Sequence, residues 1–279
     1  MVLPKRTIRG IEAICQAYLW KGNQVSQGSG PIAWDHVCQP KVAGGIGLKR
    51  IAKWNIAAMT KYVWAIANKD DNLWIKLIHC VYIKGEDWWT YQAPPQASCI
   101  SNGYKSLCPA QSKVNWSHEI WNRLNIPRHS FCLWITIQDK LKTRERLFKY
   151  NIIGEDHCLF CLDHPETTEH LFFSCPFSTI CLSQVKAWLG WRVETTDLSR
   201  LCRWLDRAKM SRFRKAVITA AVAALVYHVW TNRNDLLWNS RRIAQDVVVH
   251  AIKEDLKNRV LCNWPKKHKP ADADWFVLL

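Results

Sequence analysis

The amino-acid sequence predicts a mainly α-helical protein, and three observations support this fold class. Apolar residues recur at helical spacing along most of the 279 residues. Proline and glycine clusters separate these periodic stretches. A hydrophobic fraction of 48% and 17 tryptophans supply enough apolar surface for a sizeable core. Little of the chain is therefore expected to be disordered.

The first 95 residues are predicted to form a helical connector. A helix is expected over Thr7–Trp20, followed by a loop. Two further helices are expected between residues 51 and 82, separated by the sequence NKDDN, which is typical of a solvated loop. Pro94 and Pro95 cannot continue a helix, so a domain boundary is placed near residue 95.

Two local features of this connector suggest alternative roles that we do not favour. Trp54, Trp64 and Trp74 fall in the two helices, where they are expected to be core residues rather than a base-stacking platform. The sequence KVAGGIGLKR is rich in glycine, but it lacks the GxxxxGK[ST] pattern that binds phosphate. We therefore predict a turn there.

The remainder of the chain also has helical patterning. A short helix is expected before Pro127, and two helices joined near Lys142 should follow it. Beyond the cysteine cluster, STICLSQVKAWLGW predicts another helix. The apolar run Ala216–Trp230 is shorter than the roughly 20 residues of a membrane span, so we expect a long buried helix there, followed by one more over IAQDVVVHAIKEDLKNRV.

The cysteine cluster has the spacing C-x2-C-x8-H-x4-C, formed by Cys158, Cys161, His170 and Cys175. Thiolate and imidazole ligands at such spacing are typical of tetrahedral zinc. Four protein ligands leave no position for a reactive water, so the predicted zinc ion is structural.

Between the second and third ligands, a helix is expected to begin at Pro165, with Glu166 in its first turn, and to end near Ser174. Pro176 disfavours helical geometry at Cys175. His157, His164 and Cys181 are alternative ligands, and His164 is the strongest of them because it follows Cys161 by three residues.

Several motifs together resemble the zinc-binding region that follows the reverse transcriptase domain in plant non-LTR (LINE-type) retrotransposons. They are SCISNGYKSL, IPRHSFCLWITIQDKLKTRERL and CLFCLDHPETTEHLFFSC. The upstream IAWDHVCQPKVAGGIGLKRIAKW and the downstream ALVYHVWTNRNDLLW also resemble flanking parts of these elements. The resemblance places the family's presumed zinc ligands on Cys158, Cys161, His170 and Cys175.

No catalytic motif is recognised in this chain, so we expect a protein that is not an enzyme. The polymerase of such elements carries an aromatic-x-Asp-Asp motif, whereas NKDDN has Asn68 where the aromatic residue should be. No carboxylate constellation of a ribonuclease H or an endonuclease is found. The pair Asp272 and Asp274 in ADADW is an isolated acidic pair without an identified partner.

The charge of the chain favours a polyanionic partner, because 39 Lys and Arg against 23 Asp and Glu give a net charge of +16. We predict sequence-nonspecific binding of RNA or DNA, with a retroelement polymerase as a further partner and with no membrane and no small-molecule substrate. Phosphate contacts are expected from basic residues in two groups: Lys140, Lys142, Arg144, Arg146 and Lys149, and then Arg207, Arg212, Arg214 and Lys215.

We accordingly predict a connector (residues 1–95), a reverse-transcriptase-type zinc-binding domain (96–190) and a C-terminal helical segment (191–279). The favoured function is a zinc-stabilised, non-catalytic nucleic-acid-binding module. The alternatives are a zinc-pinned protein-interaction scaffold, with Ala216–Trp230 and the terminal WFVLL as docking surfaces, and a decayed retroelement fragment. The absence of a signal sequence and the twelve cysteines favour an intracellular protein with reduced thiols, and the charge and the resemblance favour the nucleus.

Overall fold

The structure is a computed structural model that describes residues 3–22, 30–84, 114–192, 197–265 and 269–279. Within these ranges the regular elements are helices, and the β-type pairing is an isolated bridge between His157 and Pro165. The predicted mainly α fold is confirmed.

The helices are numbered here in chain order. They are α1 (Lys5–Lys21), α2 (Trp34–Val37), α3 (Ile51–Ala67), α4 (Leu73–Ile78), α5 (Ser117–Ile120), α6 (Pro127–Ile137), α7 (Arg144–Lys149), α8 (Pro176–Leu189), α9 (Leu198–Arg207), α10 (Arg212–Asn239), α11 (Gln245–Cys262) and α12 (Pro270–Val277). A 3-10 turn covers Lys41–Ala43, and π-helical turns cover His79–Ile83 and His170–Ser174.

The chain separates into two compact units, residues 1–113 and residues 114–279. The predicted division into segments 1–95, 96–190 and 191–279 stays a prediction. Pro94 and Pro95, on which the first boundary rests, lie outside the described residues, as does the motif SCISNGYKSL.

In the first unit, helix α3 packs on α1 and α4. The predicted helix over Thr7–Trp20 is confirmed as α1. Ile66, Ile75 and Ile83 form a small buried cluster. The predicted burial of the three tryptophans is wrong, because each helix buries only one narrow face and these side chains lie outside it: the exposed fractions are 62% for Trp54, 62% for Trp64 and 48% for Trp74.

The predicted turn in KVAGGIGLKR and the predicted solvated loop at NKDDN are both confirmed. Gly44 ends the 3-10 turn with a φ of +91°. A Cβ atom on Gly45 would lie 2.0 Å from the carbonyl oxygen of Gln39, so only glycine fits there. Asp71 is exposed and pairs with Lys76 across 2.6 Å.

The second unit is organised around α10, which contacts α5, α6, α8 and α11. Ten consecutive residues of α10, 217–226, are buried, so neighbouring elements cover this stretch on all sides. By length and composition alone α10 could cross a membrane, but 67% of its apolar window is buried inside the protein, as in a core helix. The predicted buried helix is confirmed, and its residues 217–226 are not accessible to a partner in this structure.

The C-terminal helix α12 is attached to the start of α10 through Asp272. This carboxylate is buried and accepts hydrogen bonds from Oγ of Ser211 (2.9 Å) and Nε of Arg214 (3.1 Å). The prediction that the ADADW acidic pair has no partner is therefore wrong for Asp272. In the terminal WFVLL, Phe276 is buried, whereas Val277 and Leu278 are exposed.

Candidate metal centre

The first two cysteines lie in a tight turn that directs both thiols to one side. The Leu162 N–H donates to the carbonyl oxygen of Cys158 (2.8 Å), and the Cys158 N–H donates to that of His164 (2.7 Å). Leu162 adopts a φ of +63°, in the left-handed region, and this reverses the chain immediately after Cys161. We call residues 156–167 the cysteine turn.

The other two residues are brought together by the π-helical turn His170–Ser174. The Cys175 N–H donates to the carbonyl oxygen of His170 (2.7 Å), which is an i to i+5 hydrogen bond. In an α-helix five residues rotate by about 500°, which would separate the two side chains; the wider turn and the extended backbone of Cys175 avoid this. The predicted end of the helix near Ser174 is confirmed.

The predicted helix start at Pro165 is wrong. Pro165 forms the β-bridge with His157, and helical backbone begins only at Thr168. The reason is that Glu166 is not a first-turn residue facing solvent but a buried group with partners elsewhere in the unit.

The four predicted ligand atoms converge in a small volume. Sγ of Cys158 lies 3.8 Å from Sγ of Cys175, and Sγ of Cys161 lies 3.3 Å from Nε2 of His170. All four atoms lie within 4.8 Å of one another. Two thiolates bound tetrahedrally to zinc at about 2.3 Å would be about 3.8 Å apart, so the residues present fit a zinc ion.

The protonation of the two buried cysteines also agrees with a cation site. The Cys158 thiol donates to Sγ of Cys175, and this contact, together with burial, raises the pKa of Cys158. The same contact lowers the pKa of Cys175. Burial lowers the pKa of His170, with a smaller contribution from His164, so its imidazole is neutral at pH 7. Zinc would replace the shared proton, and its affinity should therefore fall as pH falls.

The three alternative ligands lie outside the converging group. His157 is exposed and lies beside Asp156 (3.5 Å). The ring centroid of His164 is 5.4 Å from that of His170, but its side chain is exposed. Cys181 is buried with its sulfur directed at the carbonyl oxygen of Gln245, and burial raises its pKa to about 11.

A buried ion pair connects the cysteine turn to α10. Glu166 and Arg233 are both almost fully buried, and Oε1 of Glu166 accepts from Nη2 (2.6 Å) and Nε (3.0 Å) of Arg233. The same carboxylate accepts from the backbone N–H of Arg144 (2.9 Å) and, at 3.4 Å, from that of Leu159. Glu166 thus joins the cysteine turn, the start of α7 and α10.

Four of the predicted phosphate contacts take part in internal interactions. Arg144 contacts the carboxylate and the carbonyl oxygen of Glu155 (both 3.3 Å), Arg146 contacts Asp139, and Arg214 pairs with Asp272. Lys149 pairs with Glu145, and this hydrogen bond raises the pKa of Lys149.

The other predicted contacts lie in two places. Lys140 is half-buried and Lys142 is exposed beside the start of α7. Arg207, Arg212 and Lys215 lie at the end of α9 and the start of α10, and the last two line a cavity of about 470 Å³. Nucleic-acid contact by these residues stays a prediction.

A groove of about 600 Å³ lies between residues 142–153 and the C-terminal part of α10. Its polar rim includes Lys142 and Arg144, and α10 contributes Trp230 and Trp238. Trp238 is 77% exposed. This surface, which we call the tryptophan groove, therefore combines positive charge with an accessible aromatic face.

Sequence reasoning missed the roles of Glu166, Arg233 and Asn232. Asn232 is buried; it donates to the carbonyl oxygen of Ile243 (3.0 Å) and accepts from the Ile243 N–H (2.9 Å), which fixes the chain between α10 and α11. The polar residues in the segment ALVYHVWTNRNDLLW could have indicated these roles. Polar side chains in a helix that is otherwise apolar need partners when they are buried.

Fold and site together define a class of protein, a helical unit that carries a converging Cys3His group able to hold a metal ion. Residues 88–181 match the family model described as zinc-binding in reverse transcriptase. The predicted resemblance is confirmed over this segment, and with the converging Cys3His group it confirms the predicted zinc cofactor.

A curated Arabidopsis thaliana protein named "Putative ribonuclease H protein" is 24% identical over 86 residues, which is 31% of this chain and 14% of that relative. The chain thus corresponds to a small part of the relative's length. No solved structure matches the chain.

Proposed function

We propose that this chain is a non-catalytic, zinc-stabilised module of retrotransposon type that binds single-stranded RNA or DNA without sequence preference in the tryptophan groove. The observation that carries the proposal is the position of the exposed Trp238 beside Lys142 and Arg144. Sequence-independent binding of single strands combines a positive groove with aromatic side chains on which bases stack.

The zinc site supports this groove through a short chain of contacts. Glu166 of the cysteine turn holds the backbone of Arg144 and the side chain of Arg233, and both of these residues line the groove. Zinc would fix the cysteine turn, and Glu166 would transmit that order to the groove wall. The net charge of +16 would add long-range attraction of a polyanion.

The non-catalytic part of the proposal rests on the ligand set and on Asp272. Three cysteines and one histidine complete a tetrahedral zinc site, which leaves no water position for Lewis-acid chemistry. Asp272 is bound to Ser211 and Arg214 rather than directed at solvent. Incubation with an RNA–DNA hybrid and Mg²⁺ should give no cleavage, and cleavage lost in Asp272→Asn would contradict this.

The binding test is a titration of labelled single-stranded RNA and DNA by fluorescence anisotropy at several salt concentrations. Trp238→Ala should weaken binding by about tenfold, because stacking of one base contributes about 1–3 kcal/mol. Lys142→Gln should lower the slope of log K against log salt by about 0.7. Trp64→Ala and Lys61→Gln, which replace exposed residues of α3, are the matched controls and should change little.

Two outcomes would contradict the proposal. Binding that is insensitive to salt would show that phosphate contacts do not hold the strand, which contradicts a positively charged groove. Salt-dependent binding that Trp238→Ala leaves unchanged would place the nucleic acid on another basic surface.

A further inference from the structure

A second cluster of possible metal ligands lies where α6, α10 and α11 meet. We propose that His129, His228 and Asp255 bind a second divalent transition-metal ion, with zinc as the preferred cation. The ring nitrogens and carboxylate oxygen of these residues lie within 4.8 Å of one another. None of them belongs to the Cys3His group.

The distances fit a metal as well as a hydrogen-bonded cluster. Oδ2 of Asp255 lies 2.9 Å from Nε2 of His228 and 3.4 Å from Nε2 of His129. Nitrogen and oxygen ligands at about 2.0 Å from a tetrahedral zinc would be about 3.3 Å apart. A metal between the three side chains would therefore require only small movements.

Hydrogen bonding within the cluster does not satisfy the buried Nε2 atom of His129. Its side chain is buried, with a residue exposure of 1%, and within the described part of the chain its Nε2 has no hydrogen-bond partner. Although this nitrogen is 3.4 Å from Asp255, it does not have the alignment of a donor. A buried ring nitrogen without a partner is destabilising, and a cation at the centre of the cluster would satisfy it.

The protonation state of His129 agrees with a ligand. Burial lowers the pKa of His129 to about 4, despite the opposing effect of Asp255. At pH 7 its imidazole is therefore neutral, which is the form that binds metal.

Two imidazoles and one carboxylate define the chemical class of cation. This ligand set suits zinc and other borderline divalent transition metals more than Mg²⁺ or Ca²⁺, which prefer oxygen ligands. The side chains of His228 and Asp255 are 19% and 26% exposed, so the solvent side can supply a water as the fourth ligand.

Arg128 competes with the proposed metal. Its Nη2 lies 3.5 Å from the same Oδ2 of Asp255, and its side chain is 57% exposed over the ring of Tyr227. Bound metal would displace this exposed guanidinium toward solvent. Removal of Arg128 should therefore strengthen metal binding, which a purely structural histidine cluster does not predict.

The test counts zinc per full-length chain by equilibrium dialysis and elemental analysis. Wild type should hold two ions at saturating zinc, and Cys158→Ser should hold one. His228→Gln and Asp255→Asn should each hold one, whereas His250→Gln and Glu254→Gln, which replace exposed residues on α11, should retain two. Helical circular dichroism checks that each variant is folded.

Two further measurements test the second metal site even if His228→Gln and Asp255→Asn unfold. Arg128→Gln changes only an exposed side chain and should raise the affinity of the second ion by about fivefold. Cobalt(II) should give thiolate charge-transfer absorption in wild type and His228→Gln, but not in Cys158→Ser, whose remaining cobalt has only nitrogen and oxygen ligands.

A single zinc ion in wild type at saturating zinc would overturn the proposal, as would a second ion that persists in His228→Gln and Asp255→Asn. Neither result would affect the nucleic-acid proposal, because that proposal is tested by Trp238→Ala and concerns a different surface.

Discussion

The cysteine turn and the centre of α10 belong to one unit, but different interactions stabilise them. In α10, ten consecutive residues are buried and nearly all of them are apolar. In the twelve residues of the cysteine turn, only Cys158, Phe160 and Glu166 are buried. A segment too short to form its own core therefore depends on a few strong point contacts, here a metal and an ion pair.

Removal of zinc should have the largest effect, and it should destabilise the cysteine turn while leaving the centre of α10 nearly unchanged. Cys158→Ser should abolish zinc binding at the Cys3His group, because structural zinc contributes on the order of 10 kcal/mol to local folding. Amide hydrogen exchange in residues 156–167 should then accelerate by at least about 100-fold. Exchange in residues 217–226 of α10 should stay nearly constant; equal acceleration in both regions would show that they are not stabilised separately.

Removal of one partner of the buried ion pair should have the second-largest effect. Glu166→Gln and Arg233→Met should each lower the free energy of unfolding by about 3–5 kcal/mol, since each leaves a buried partner uncompensated. Chemical denaturation measures this, and the double variant gives the coupling energy. Glu155→Gln is the matched control, because Glu155 is 74% exposed and its pair with Arg144 should contribute less than about 1 kcal/mol.

A cavity in the helical core should have a comparable or somewhat smaller effect on unfolding, but a different effect on zinc. Leu225→Ala, at a position 1% exposed on α10, should cost about 3 kcal/mol. Zinc content at the Cys3His group should remain at the wild-type level in the folded protein. Loss of that zinc in a folded Leu225→Ala protein would mean that core packing, and not the ion pair, orders the cysteine turn.

The smallest expected effect concerns Leu162, whose left-handed backbone strains the cysteine turn. Leu162→Gly should stabilise the unit by about 0.5 kcal/mol, because relief of strain exceeds the added chain entropy of glycine. Thermal denaturation with zinc bound should show a slightly higher midpoint. Gly154→Ala, at a position with open space for a Cβ atom, serves as the comparison outside the turn; a lower midpoint for Leu162→Gly would contradict the assignment of strain.

The helices and the metal-ligand spacing could be predicted from the sequence because they depend on local patterns. The apolar periodicity that predicts α10 extends over a few helical turns. The four-residue spacing between His170 and Cys175, followed by Pro176, is equally local. The predicted start at Pro165 failed because a contact with Arg233, 67 positions away, determines the conformation of Glu166.

Burial was less predictable than secondary structure for the same reason. Trp54 and Trp238 both lie in helices rich in apolar residues, yet both are exposed, because each lies outside the buried face of its helix. The cluster of His129, His228 and Asp255 was not predictable, since its members lie on three different helices and the first is far from the other two in the sequence. A local pattern carries no information on such juxtapositions.

The position of Arg233 limits where this chain could be joined to an unrelated sequence. The matched zinc-binding segment ends at residue 181, whereas its buried carboxylate, Glu166, pairs with Arg233 on α10. A recombination event that joined the first 181 residues to an unrelated C-terminal part would bury a lone carboxylate. The cysteine turn and α10 therefore depend on each other structurally, and this structural unit extends beyond the matched segment.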